Sequence, residues 1–317
     1  MISDKYQRSF KKLRVSLTHE CNFACIYCAE GIGKAATSES KIATKPLPAN
    51  DLIKIIEKLH SVLNLTSIRL TGGEPLLHPK VEKIVAAIHD MGITNIGMTT
   101  NGHMLFRKIE ALKKAGLTSV NISLDAISDE TFKLMSRNTG LNNVLQSVTT
   151  AIKHGIDIKL NTVVVAGSNE HEIIPLLEFA MQKGIIIRFL ELMPMGPLHH
   201  NIEKLFFSEN EILKNIESKY SITKMLHENN ATSNYWAING VKAFGIIANE
   251  SSPFCSDCNR LRLDSYGNIY GCLSSLIPIP VVASSGTNLE QALNEVLSHK
   301  QAIRFTGNTR TMQSIGG

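Results

Sequence analysis

The chain has 317 residues, 43% of them apolar, and a formal net charge of +5. That is enough for one large α/β domain plus a smaller appendage of ordinary globular composition. The charge excess is modest and no basic run forms an arm, so no nucleic-acid partner is expected. The first fourteen residues lack the apolar core of a signal peptide, and no apolar run reaches membrane-spanning length, so a cytoplasmic location without a membrane partner is expected.

Residues 12–17 read as a first strand, and Cys21, Cys25 and Cys28 follow it in a loop. Residues 51–63 carry apolar side chains at Leu52, Ile53, Ile56, Leu59 and Leu63, one face of a helix. The alternation then repeats. Strands are expected at 67–70, 95–99, 119–124, 158–165 and 185–190. Helices are expected at 81–91, 105–115 and 170–182, with helical patterns between 125 and 154. Gly92, Gly116 and Gly184 mark helix ends. Six βα steps imply a parallel sheet with right-handed crossovers, too few for a closed eight-stranded barrel. An open, partial barrel with its site at the carboxyl ends of the strands follows. Past Pro194 the pattern turns to polar stretches, one helix near 209–218 and short strand-like pieces. A boundary near residue 200 is expected.

The six cysteines form two groups of three, Cys21-Cys25-Cys28 and Cys255-Cys258-Cys272. Disulfide frameworks belong to small secreted domains; in a long cytoplasmic chain such grouping favours metal or catalysis. Three thiolates on one tight loop can hold three irons of a four-iron cluster and leave the fourth open to a ligand. Reductive cleavage of S-adenosylmethionine needs such an open iron. The second triad admits two readings: another open cluster, or a zinc ribbon completed by His199, His200 or His227. Tyr27 either lines an adenine pocket or packs. Gly72-Gly73-Glu74-Pro75 closes the second strand, where glycine lets backbone approach a ligand, and Glu74 or nearby carbonyls can accept from an ammonium group. Arg260 and Arg262 share one face of an extended segment, a pair suited to polyphosphate. Arg14, Arg69 and Lys159 lie in or at the ends of barrel strands, where a solvent-exposed face accounts for them poorly. Together these cations imply a strongly anionic substrate.

At these residues the chain resembles the radical S-adenosylmethionine superfamily, through the first triad with Tyr27 and the Gly72-Gly73-Glu74-Pro75 segment. The second triad, Arg260, Arg262 and the final Gly316-Gly317 narrow the resemblance to the GTP 3′,8-cyclase family of molybdenum cofactor biosynthesis, over nearly the whole length. The resemblance implies a partial (βα)6 barrel of the radical S-adenosylmethionine type over 1–200, a carboxyl-terminal iron–sulfur and substrate domain over 201–305, and a tail over 306–317. It implies two 4Fe-4S clusters and S-adenosylmethionine as cofactors. GTP is the implied substrate, and a 5′-deoxyadenosyl radical takes hydrogen from its ribose C3′, which then attacks guanine C8. After reduction of the resulting guanine radical, the implied product is (8S)-3′,8-cyclo-7,8-dihydroguanosine 5′-triphosphate. Implied partners are a flavodoxin- or ferredoxin-like electron donor and cyclic pyranopterin monophosphate synthase, which takes the product; a homodimer stays open.

By the same resemblance Cys21, Cys25, Cys28, Cys255, Cys258 and Cys272 are metal ligands, and Tyr27, Gly73, Ser123 and Met193 surround S-adenosylmethionine. Arg14, Arg69, Thr99, Lys159, Arg260 and Arg262 hold GTP, and Arg260, Arg262, Gly316 and Gly317 take catalytic roles. Two departures bear on local loop shape. The family usually has Met-Pro after the third cysteine, here Ala29-Glu30, and Gly-Arg near the start, here Gln7-Arg8. Two rival readings remain. One is another radical enzyme with an auxiliary cluster, such as a peptide maturase, which more often carries further cysteines and a peptide-binding segment. The other is a non-catalytic zinc module with four-ligand sites.

Overall fold

Strand and helix alternate from the start of a computed structural model that describes residues 2–28, 45–196, 202–227, 231–281 and 289–315, the side chains of 313 and 314 excepted. The first half runs β1 (Lys12–Ser16), α1 (Ala49–Leu63), β2 (Ser67–Thr71), α2 (Val81–Asp90), β3 (Asn95–Thr100), α3 (Leu105–Lys114), β4 (Ser119–Ser123), α4 (Asp129–Ser136), α5 (Leu141–Lys153), β5 (Asp157–Val164), α6 (Ile173–Gln182) and β6 (Ile186–Glu191). Each step has its cause in the sequence. Helix α1 buries Leu52, Ile55, Ile56, Leu59 and Leu63, the 3.6-residue stripe; Ile53, a hundred degrees round from Leu52, is only half-buried. The expected helix at 170–182 opens as a 3-10 turn, Glu170–Glu172, before α6 begins. Gly92, Gly116 and Gly184, at φ of +85°, +111° and +65°, take the left-handed conformation that stops a helix.

Strand β5 shows how the barrel is layered. Ile158, Leu160, Thr162 and Val164 are buried, while the alternate residues Asn161 and Val163 line the interior cavity. The apolar set packs into one continuous core under the helices.

The second half runs α7 (Glu209–Glu217), β7 (Ile222–Lys224), β8 (Asn234–Ile238), β9 (Val241–Ile247), β10 (Arg260–Leu263), β11 (Asn268–Tyr270), β12 (Ile279–Pro280), α8 (Leu289–Ser298) and α9 (Met312–Ile315). These strands extend the barrel's own sheet at both edges. The order is β12-β11-β10-β1-β2-β3-β4-β5-β6-β9-β8-β7. Strands β1 to β6 are mutually parallel, β10 joins β1 in parallel and β9 joins β6 in parallel. The outer strands add in antiparallel fashion. The fold is therefore an open, parallel, TIM-like partial barrel with a carboxyl-terminal segment flanking it on either side.

Glu191, at the end of β6, fastens the two halves. Its Oε1 accepts from the Glu209 amide at 2.8 Å, and its Oε2 from the Glu250 and Ser251 amides, both at 2.9 Å. Among the described residues no helix is long and apolar enough to cross a membrane.

Candidate active site

The loop after β1 carries the first triad. It is strapped to α4 by the Ala24 and Ile26 amides, which donate to the Ser136 and Met135 carbonyls. Gly72 and Gly73 brace it from below. The Gly73 amide donates to the Thr18 carbonyl and the Glu74 amide to the Glu20 carbonyl, both at 2.7 Å. A Cβ on Gly73 would run into the Glu20 carbonyl, so this glycine serves a close approach of two backbones. Glu74 is not offered to a ligand. Its carboxylate accepts from the Leu76 amide, the Thr100 hydroxyl and the Asn101 amide, and burial pushes it up to about 7. It ties the end of β2 to the end of β3.

Tyr27 donates to Asp125 Oδ2 at 2.7 Å, and Asp125 Oδ1 accepts from the Val163 amide. Burial lifts Asp125 to about 6. Cys25 shares a small cavity with Ser123 and Asp125, while Tyr27, Cys28, Ser123 and Met193 line the large central one.

The second triad stands across the same mouth because β10 pairs with β1. The Cys258 amide turns back to the Cys255 carbonyl, and Cys272 is the second residue of the loop after β11. All three of its cysteines line the central cavity. The residue after Gln7 accounts for part of this placement. Gln7 sits at φ +61°, the conformation that favours the family's glycine, and Arg8 reaches from it to the Cys255 carbonyl at 2.6 Å. His227 is exposed and shares a hydrogen bond with Asn234, so it is not brought to the triad. His199 and His200 lie outside the described residues, as do Ala29, Glu30, Gly316 and Gly317.

The central cavity, about 1590 Å³ including its open mouth, is lined by Arg14, Arg188, Arg260, Arg262 and Lys300. Among the described residues its one lining carboxylate, Glu191, is already engaged by three amides. Parallel register puts Arg262, Arg14 and Arg69 side by side on β10, β1 and β2. Burial, and then the neighbouring Arg262, Arg260 and Arg69, hold Arg14 well below the usual arginine range. Burial, with Arg188 next, brings Arg69 to about 10. Arg69 sits deeper, donating to the Met98 carbonyl at 3.1 Å in the room left by Gly97, where a Cβ would lie 2.6 Å from its guanidinium. Thr99 lines the cavity. Lys159 does not; its ammonium meets Asp157 at 3.1 Å.

Two lining cations do not stand out in the sequence reading. Arg188 interrupts an apolar strand as Arg14 and Arg69 do, and that signal could have found it. Its Nε donates to Asn161 Oδ1 at 2.9 Å, and its Nη2 is buried without an acceptor. Lys300 follows a helix that reads like any other, and carries no local signal.

An open parallel barrel with a three-thiol loop after its first strand defines a radical S-adenosylmethionine enzyme. Residues 15–180 match the Radical SAM superfamily, and residues 185–306 match Molybdenum Cofactor Synthesis C. Similar proteins include a GTP 3′,8-cyclase of Synechocystis sp., 35% identical over 99% of this chain and 94% of its own length. Another is a GTP 3′,8-cyclase of Nautilia profundicola, 35% identical over 93% of this chain and 88% of its own. The chain belongs to the GTP 3′,8-cyclase family. Among solved structures, Streptococcus suis SuiB bound to S-adenosylmethionine aligns with a TM-score of 0.60 at 16% identity, covering 90% of this chain and 64% of that one. That likeness shows the fold alone.

Proposed function

We propose that the central cavity binds GTP for conversion to (8S)-3′,8-cyclo-7,8-dihydroguanosine 5′-triphosphate, the first step of molybdenum cofactor biosynthesis. Its triphosphate lies among the arginines and its guanine at the Cys255-Cys258-Cys272 triad. Each triad holds its own 4Fe-4S cluster. One observation carries the reading: among the described residues, thiols of both triads and four arginines line a single cavity whose only carboxylate is engaged elsewhere. Such a cavity favours a polyphosphate over a peptide.

The donor sets suit clusters. All six cysteines are free of disulfides. Within each triad the thiols feel one another: burial and then Asp125, Cys28 and Cys21 raise Cys25, and burial and then Cys272 and Cys258 raise Cys255 to about 11. A cluster spreads its cysteines over separate irons. When bound, the first cluster and S-adenosylmethionine would supply the radical that takes hydrogen from the ribose C3′ and lets that carbon bond to C8, the radical left on guanine being closed by one electron and one proton.

The chain's own residues do the positioning. Tyr27, Gly73, Ser123 and Met193 surround S-adenosylmethionine. Arg14, Arg69, Thr99, Arg260 and Arg262 hold GTP, and Lys159 exchanges Asp157 for a phosphate oxygen. Gly316 and Gly317, which lie outside the described residues, take catalytic roles with Arg260 and Arg262. Residues 1–200, 201–305 and 306–317 act as barrel, auxiliary-cluster unit and tail. The reaction belongs in the cytoplasm, where thiols stay reduced, with an electron donor of flavodoxin or ferredoxin type and delivery of the product to cyclic pyranopterin monophosphate synthase.

The test is anaerobic purification with iron, sulfide and zinc analysis. Replacing Cys21, Cys25 and Cys28 by Ala leaves about half the iron if each triad holds a cluster. Cys255→Ala still yields 5′-deoxyadenosine with a strong reductant and makes no cyclised nucleotide. Zinc at the second triad, or normal cyclisation by Cys255→Ala, overturns the reading.

A further inference from the structure

Lys300 lies just past α8 and is 5% exposed, yet none of the acceptors of its ammonium is a carboxylate. Its Nζ donates to the Gly271 carbonyl at 2.6 Å, the Arg260 carbonyl at 2.9 Å and Cys258 Sγ at 3.4 Å. The Phe10 ring stands 5.0 Å away, an apolar floor. Three acceptors match the three protons of an ammonium and leave no place for a neutral amine's lone pair.

A buried cation without a carboxylate is costly unless other negative charge lies close. Here it faces sulfur. The three partners are also not random points. One is a thiol ligand, one is the carbonyl just before Cys272, and one belongs to Arg260 of the substrate-binding pair. A single charge thus spans two ligand positions of the second triad and the strand that presents the arginines.

We infer that Lys300 is a positioning residue of the second cluster, fixing Cys258 and the Cys272 loop against β10 and raising the reduction potential of the cluster held there. This rests on the reading that Cys255, Cys258 and Cys272 hold a cluster. The physical cause is electrostatic. Reduction adds negative charge beside a fixed cation in a low-dielectric site, and a hydrogen bond to a ligand sulfur withdraws electron density from it.

The test uses the full chain with Cys21, Cys25 and Cys28 replaced by Ala, so that the second cluster's signal stands alone. Into it go Lys300→Met, of similar length without charge, and Lys300→Arg, which keeps the charge. Iron per chain and an electron-paramagnetic-resonance-monitored redox titration are measured anaerobically. Lys300→Met should keep its iron, titrate at a more negative potential and show a changed signal, while Lys300→Arg stays near the parent. Loss of iron from the Met variant alone also supports the inference, since the charge is then what holds the ligand loop. A parental potential and signal in Lys300→Met, or equal loss of iron from both variants, overturns it. Absence of iron from the parent triple variant instead defeats the two-cluster reading, a separate result.

Discussion

On the proposed reading substrate choice turns on Arg14, Arg260 and Arg262, which crowd one end of the cavity, Arg260 and Arg262 both opposing the charge on Arg14. Burial brings Arg262 to about 10, with Arg260 pressing in the same direction against the opposing thiol of Cys272. A charge-assisted hydrogen bond to phosphate is worth roughly 1.5–3 kcal/mol, or about one to two decades in affinity. Arg260→Ala and Arg262→Ala should therefore weaken GTP binding by that amount while guanosine binding hardly changes. Equal losses for the two ligands, measured by calorimetry, would point instead to a collapsed second triad. Glu74 gives a prediction of another kind. Its folded value is about 7 against 4.5 unfolded, so between those pH values the folded chain holds a proton the unfolded chain has lost. Stability from this group is full below pH 4.5 and declines as pH rises to 7, by up to about 3 kcal/mol. Denaturant unfolding at pH 5 and pH 8 should show a smaller difference in Glu74→Gln than in the parent. An unchanged difference would remove Glu74 as its source.

At the scale of elements, the consequential contact is between the turns that end β1 and β2. Gly72 sits at φ +142°, and a Cβ on either glycine would strike the backbone of residues 18–20. Gly73→Ala must push the cysteine loop upward or unwind the end of β2. Either displaces Cys21, while the second triad, held by β10, α8 and Arg8, stays where it is. We expect Gly73→Ala to keep about half the parental iron and to lose S-adenosylmethionine cleavage. Full iron with normal 5′-deoxyadenosine formation would show that the loop tolerates the side chain. The pairing of β10 with β1 is the counterpart at the other edge. It converts two residues 248 positions apart, Arg14 and Arg262, into neighbours on one face.

For the molecule as a whole, the carboxyl-terminal stretch is fastened to both halves. Asn308 is buried, its amide donates to the Pro194 carbonyl at 3.1 Å, and its side chain donates to the Leu273 carbonyl at 2.5 Å. The Gly196 amide in turn donates to the Asn308 carbonyl at 3.1 Å. Ile315 is fully buried against Met195, Tyr270 and Phe305 in a small core of its own. Asn308 and Ile315, which make that anchorage, precede Gly316 and Gly317. Deleting those two residues should leave iron content and thermal stability near parental, yet lower GTP cyclisation by about a hundredfold, the scale of a misplaced group at a reacting centre. Parental turnover by the deletion variant would reduce the glycines to a plain end.

The sequence by itself determined the βα alternation, since strand and helix periods are local and each helix carries its own stop, as at Gly92 and Gly116. It also determined the two thiol triads and the anionic character of the substrate, because a cation set inside an apolar strand is costly unless an anion meets it. What it did not contain was adjacency. Nothing local says that residues 241–247 and 260–263 would join opposite edges of the barrel sheet, since strand pairing over such separations depends on which edges of that sheet stand open, a property of the folded barrel and not of either segment. That choice alone sets the second triad across the cavity from the first, aligns Arg262 with Arg14, and turns Lys300 onto Cys258. Glu74 shows the same limit from the other side: a carboxylate in a glycine turn reads as a ligand, and only the packed structure reveals that Leu76, Thr100 and Asn101 already satisfy it.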